Sequence, residues 1–250
     1  MPRRTQPHPF EEYCFAHFAR AIQSWDPRAG IYAIGLEIQN VEDDLRRPMV
    51  RLLRNTWAHA RLHAPGDADV DLPAACLRLA HVGSCFQQNK ASSEMEALWC
   101  RAFWDFTTYA TVGCEYPSFK GDYIDPIGLA LRDAWVRSLG LHERAESEAD
   151  HPDATLEDDL ELIVKFNKLC LRVARRLQPV IRAHFKRPIP IIFFNREGCD
   201  DETVALTWFA NEKASIEGYL AFICQISGRE RCDDFKPATF WYIFLADDDD

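Results

Sequence analysis

Glycine is scarce in this chain, 11 in 250 residues, and none of it clusters ahead of a helix. A phosphate-cradling loop needs such clusters, because only glycine lets backbone amides close on the phosphates. The Rossmann and Walker signatures are absent, which argues against dinucleotide and ordinary P-loop enzymes. Long apolar runs are missing too. The nearest are Ile189 to Phe194 and Phe240 to Ala246, far short of the roughly 18 to 20 residues a spanning helix needs. Arg3 and Arg4 precede no apolar export core, so nothing directs secretion and a soluble, cytoplasmic protein is expected.

Cysteine is plentiful, but its patterning excludes the usual uses. The nine cysteines (14, 76, 85, 100, 114, 170, 199, 224, 232) are odd in number, and none forms Cys-x-x-Cys. Without an export signal they read as reduced thiols. Cys14, Cys170 and Cys224 fall within apolar helical patterns, where a free cysteine acts as a small hydrophobe.

Intact catalytic motifs are lacking as well. Val82-Gly83-Ser84-Cys85-Phe86 approaches the serine-hydrolase turn but has no second glycine, so Ser84 and Cys85 read as loop or helix-terminus residues before nucleophiles. His59 and His63 are four apart and could share a metal on a helix, yet no glutamate lies between them to serve as base. Two surface histidines are the plainer reading, and no metal or cofactor is expected. Paired carboxylates such as Glu42-Asp43-Asp44, Asp200-Asp201-Glu202 and Asp233-Asp234 are too abundant for any one to indicate acid–base catalysis. The chain is therefore read as a non-enzyme.

What is present is apolar bulk and acid. Hydrophobic residues make up 47% of the chain, with 16 Phe and 7 Trp, enough to build a core unaided. The formal charge of -10 repels nucleic-acid backbones and anionic membranes and favours a basic protein partner. Between Glu143 and Glu161 nine carboxylates stand against Arg144 alone, a local balance of -8. The plain reading is a solubilising loop and helix start; the sharper one is a docking surface formed by Glu157, Asp158, Asp159 and Glu161.

Along the chain, the spacing of Phe10, Cys14, Phe18, Ile22 and Trp25 predicts an amphipathic helix over 10–25, and Ile31 to Ile38 a strand buried on both faces. Pro48 leaves 41–62 unassigned between a short helix and a hairpin partner. A polar turn is expected at 65–69 and helices at 72–82 and 94–106. Asp125-Pro126 opens a helix that Gly140 closes. Residues 143–153 read as an exposed acidic linker, and Thr155 caps the longest helix, which runs toward Pro179. A strand at 189–194, helices at 200–210 and 215–226, a strand at 239–245 and a flexible acidic tail at 247–250 complete the pattern. That order predicts one domain over 1–250 of α+β (or α/β) class, a small mixed sheet covered by several helices.

The N-terminal helix with Ile31-Tyr32-Ala33-Ile34-Gly35-Leu36, then Arg54-Asn55-Thr56, and Pro188 to Phe193 leading into Trp208-Phe209-Ala210-Asn211 carry a resemblance. It is to a loosely defined group of bacterial proteins encoded beside secreted toxins and regarded as their immunity proteins. The acidic, cysteine-containing make-up also resembles immunity partners of type VI secretion effectors, particularly those that neutralise nucleases. The segment from His63 to Gly121 lies outside the resemblance. It implies a cytoplasmic antitoxin that binds a cognate toxin, with no nucleic acid or membrane partner. Two other readings stay open: a hydrolase-like enzyme whose cysteine, histidine and acid groups meet only in the fold, and an adaptor subunit anchored by aromatic residues. Homodimerisation is compatible with each.

Overall fold

A computed structural model describes residues 6–41, 44–65, 90–115, 125–140, 152–195 and 198–228. The elements are α1 (Pro9–Ser24), β1 (Ile31–Val41), β2 (Asp44–Thr56), α2 (Trp57–His63), α3 (Glu94–Trp99), β3 (Asp105–Val112), α4 (Pro126–Ser138), α5 (Pro152–Phe185), β4 (Ile191–Phe194), α6 (Asp201–Ala210) and α7 (Glu217–Ile226). The fold is α+β: among the described residues, a four-stranded mixed sheet in the order β3-β2-β1-β4, covered by helices. The β1–β2 hairpin and the β2–β3 pair are antiparallel, while β4 returns parallel to β1 with Leu36 opposite Phe193 and Glu37 opposite Phe194.

Each face of the sheet carries its own core, because β1 alternates. Ile34 and Leu36 point one way and join Phe10, Cys14, Phe18 and Ile22 of α1 and Leu169, Cys170, Val173 and Leu177 of α5. Burying side chains of this size contributes about 2 kcal/mol each. Ala33 points the other way, toward Leu53, Trp104, Phe194, Val204, Tyr219 and Ile223. Gly35 lies on that second face, where a Cβ would come within 2.9 Å of Trp104, so only glycine lets the indole lie on the strand.

Helix starts follow local chemistry. The His8 imidazole accepts from the Phe10 amide at 3.1 Å, ahead of Pro9 in the first turn. Asp125 caps α4 by accepting from Gly128 N at 3.0 Å, and it also accepts from the Tyr13 hydroxyl at 2.6 Å. Gly140, at φ 71°, follows the end of that helix in the left-handed region. Asp200 and Thr203 form a reciprocal capping box at the start of α6.

The structure corrects several expected boundaries. Residues 94–106 are not one helix: α3 ends at Trp99, a 3-10 turn spans Arg101–Phe103, and β3 begins at Asp105. Cys100 is extended, and the Trp104 indole N–H donates back to the Leu98 carbonyl at 3.1 Å, closing the corner. The unassigned stretch is β2 followed by α2. Pro48 is accommodated because the β2–β3 ladder begins only at Val50, so its missing N–H breaks no pairing to β3. The longest described helix starts at Pro152, placing Thr155 inside it and drawing 152 and 153 out of the expected linker; proline suits a first helical turn. It then continues through Pro179 to Phe185, since Leu177, Ile181 and Phe185 on either side of the proline are all buried. A 3-10 turn at Lys213–Ser215 precedes α7. The expected elements at 72–82 and 239–245, the linker residues 143–151, the turn residues 66–69 and the tail 247–250 lie outside the described residues. No helix among the described residues is long and apolar enough to cross a membrane.

Candidate functional site

α5 is 34 residues long, about 51 Å at 1.5 Å per residue, and divides into two halves of opposite charge. The acids at 153, 157, 158, 159 and 161 occupy its opening turns. From Leu162 to Arg196 there is no aspartate or glutamate, while nine lysines and arginines occur. Acids at a helix N-terminus and bases at its C-terminus both oppose the macrodipole, so part of this division stabilises the helix itself.

The proposed docking residues Glu157, Asp158, Asp159 and Glu161 are thus brought together on consecutive turns of one helix. Glu161 is exposed and pairs with Lys165 Nζ at 2.8 Å one turn later, the favourable orientation for a helical ion pair. The basic half was not anticipated. Its signal was available in the acid-free interval after Leu162, hidden by an overall charge of the opposite sign.

The body of α5 is fastened to its neighbours. Glu11 of α1, almost wholly enclosed, receives Arg172 Nε at 2.8 Å and Arg176 Nη1 at 3.4 Å, and Glu12 receives Arg176 Nη2 at 2.8 Å. The Arg176 guanidinium also lies over the Phe15 ring, 4.2 Å from its centroid. On the other flank Gln178 Nε2 donates to Asn211 Oδ1 at 2.9 Å. That Asn211 oxygen accepts from the Ile191 amide at 2.8 Å, and Thr207 Oγ1 accepts from the Phe193 amide at 2.9 Å. The outward amides of Ile191 and Phe193 are therefore filled by side chains of α6 and of the Asn211 that follows it, which closes this sheet edge to strand addition.

A second polar cluster lies beside Phe194 at the carboxyl end of β1. Glu37, fully buried, pairs with Arg51 Nη1 at 2.9 Å across the hairpin and with Arg101 from the 3-10 turn. Toward the start of β1, Asn55 Nδ2 donates to Tyr32 Oη at 2.9 Å, and the Tyr32 hydroxyl donates to the Leu98 carbonyl at 2.5 Å. These bonds hold the segment around Leu98 to Arg101 on the sheet. Sequence reading missed Glu37, although a lone acid inside the apolar run Ile31 to Ile38 marks a buried charge that needs partners.

His59 and His63 lie one turn apart on α2, with ring centroids 5.0 Å apart, and His63 packs on Phe103 at 5.4 Å. Burial holds the His59 imidazole below its ordinary pKa despite nearby Asp105 and a bond to the Phe103 backbone. Among the described residues no three His, Cys, Asp or Glu side chains are grouped to hold a metal. Asp200 is occupied as a helix cap, and Glu202 accepts from Asn167 at 2.8 Å while burial pushes its carboxyl upward. None of the six described cysteines is in a disulfide, and burial pushes the Cys199 thiol up to about 12, well away from the thiolate a nucleophile requires. Ser84 and Cys85 lie outside the described residues.

Comparison of the chain with protein-family models, with curated proteins and with solved structures returned no match.

Proposed function

We propose that this chain is an immunity protein: a cytoplasmic antitoxin, not an enzyme, that binds and neutralises a cognate secreted toxin of the kind delivered by type VI systems, with a nuclease effector as the favoured class. The observation that carries the reading is the continuity of the acidic turns 157–161 with a helix whose body is anchored to α1 and the sheet. A carboxylate array on such a platform loses little conformational freedom when a partner arrives, so more of the contact energy appears as affinity. Its charge raises the encounter rate with a basic surface such as a nuclease presents to DNA, and it rejects acidic competitors. Inhibition by occupying that surface needs no reactive group in the inhibitor.

The test is recovery of the tagged protein from its native host, with the co-purifying partner identified by mass spectrometry. A single stoichiometric partner with a toxin domain, lethal when produced without this protein, is the expected result. Recovery with no such partner, or with one whose production alone is harmless, overturns the reading.

A further inference from the structure

Beyond its acidic turns, α5 carries one row of cations on its outer side, Lys165, Lys168, Arg172, Arg175 and Arg182, with Pro179 filling the remaining position. The steps alternate between three and four residues, so the row stays on one side of the helix for about 26 Å with a charge about every 5 Å except where Pro179 intervenes. The side chains of Arg172 and Arg182 remain 48% and 47% exposed although each already meets a carboxylate. Those carboxylates come from the flanks, Glu11 on the α1 side and Glu212 beyond the end of α6, while Lys165 meets Glu161 one turn earlier on α5 and Arg175 Nε donates to the Phe209 carbonyl at 3.1 Å. Glu12, paired with Arg176, adds a further acid to the α1 border.

This geometry makes the row one residue wide and bordered by acids. A polyanion that spreads its charge over a broad surface, as a nucleic acid or an anionic bilayer does, meets the bordering carboxylates together with the cations. A single helix with its own acids at the same spacing meets the cations alone. The two repeats match because both are set by 3.6 residues per turn. Arginine at three of the five positions adds fork-like pairing to carboxylates. The present ion pairs at the exposed end of the row are exchangeable, because surface pairs of this kind contribute little to folding.

We propose that this row is a docking surface for a partner helix carrying carboxylates at three- and four-residue spacing. The proposal rests on the basic body of α5, which meets the acidic turns through the Lys165–Glu161 pair, and is independent of the toxin reading.

Fluorescence anisotropy on the full chain tests it with four probes. These are a helical peptide with glutamates along one face, a peptide of identical composition with the glutamates distributed around the helix, a single-stranded oligonucleotide of similar length, and vesicles of mixed neutral and anionic lipid. The one-faced peptide is expected to bind about tenfold tighter than the distributed one, as several exposed ion pairs combine, and to weaken with salt. Lys168→Glu with Arg175→Glu and Arg182→Glu abolishes that preference. Should this variant fail to fold, the comparison of the two peptides on the unaltered protein still decides. Equal binding of the two peptides, no binding of either, or tighter binding of the oligonucleotide or the vesicles overturns the proposal.

Discussion

Glu37 and Arg101 are 64 positions apart in sequence yet meet inside the protein, where the enclosed carboxylate receives the arginine while Arg51 approaches from the neighbouring strand at 2.9 Å. Both arginines keep 22% of their side chains exposed, so the ion most costly to desolvate is the acid. Glu37→Ala leaves two cationic groups on that face without their shared counter-ion. The expected loss is about 3 kcal/mol, measured as a lower urea midpoint with an unchanged slope.

The sealed edge of β4 is tested by Thr207→Val, which keeps the side-chain shape and removes the acceptor of the Phe193 amide. Thr207 is fully buried, so that N–H stays unsatisfied at a cost of about 2 kcal/mol. Hydrogen exchange at Phe193 should accelerate relative to β1, and light scattering should report self-association if the edge becomes available.

Pro179 lies exposed within the last two turns of α5, where it deprives the Arg175 carbonyl of its helical partner. Pro179→Ala restores that bond and removes the ring clash, raising stability by about 1 to 3 kcal/mol. Thermal unfolding would show a higher Tm.

Burial is the first cause holding both His17 and His59 below their ordinary 6.5, over the opposing pull of Asp125 on the former and Asp105 on the latter. The folded state therefore binds fewer protons than the unfolded chain in the window below 6.5. Stability is full above that value and falls as pH drops through it toward the depressed folded values. His17→Gln with His59→Gln should flatten unfolding free energy between about pH 7 and 5. The comparison is the difference between variant and parent, in which the opposite contribution of Glu202, whose carboxyl is raised, cancels.

Replacing Glu157, Asp158, Asp159 and Glu161 by their amides tests the acidic turns. Association with the proposed toxin partner should slow about tenfold at low salt, with the gap closing as salt rises and dissociation little altered. Stopped-flow fluorescence measures both rates; unchanged association would move the interface away from these turns. Circular dichroism checks that loss of the N-terminal charges leaves α5 formed, at a cost of some tenths of a kcal/mol per acid.

Local rules read well wherever one period dominates. α1 was legible from Phe10, Cys14, Phe18 and Ile22, all of which are fully buried, and α4 from Asp125-Pro126 and Gly140. β2 was not, because Pro48 and the run Met49-Val50-Arg51-Leu52-Leu53 show no strict alternation in a strand enclosed on both faces. The aromatics Trp99, Phe103, Trp104 and Phe106 imitate a helical stripe. The chain turns at Cys100 instead, since Trp104 packs on Phe194 with ring centroids 4.9 Å apart, a residue ninety positions downstream. Of the candidate site, the acidic turns were visible as composition, whereas the basic row became a surface only once one face of α5 was covered.

The sequence by itself determined the mixed complement of helices and strands and the division of charge on either side of Leu162, because propensity, periodicity and charge are properties of neighbours along the chain. Tertiary structure alone decided the strand order, the enclosure of Glu11 and Glu37 with arginines from distant elements, the survival of α5 through Pro179, and which cations face solvent. Those outcomes depend on contacts between residues far apart in sequence, where packing of the two cores and the desolvation of buried charge outweigh local preference.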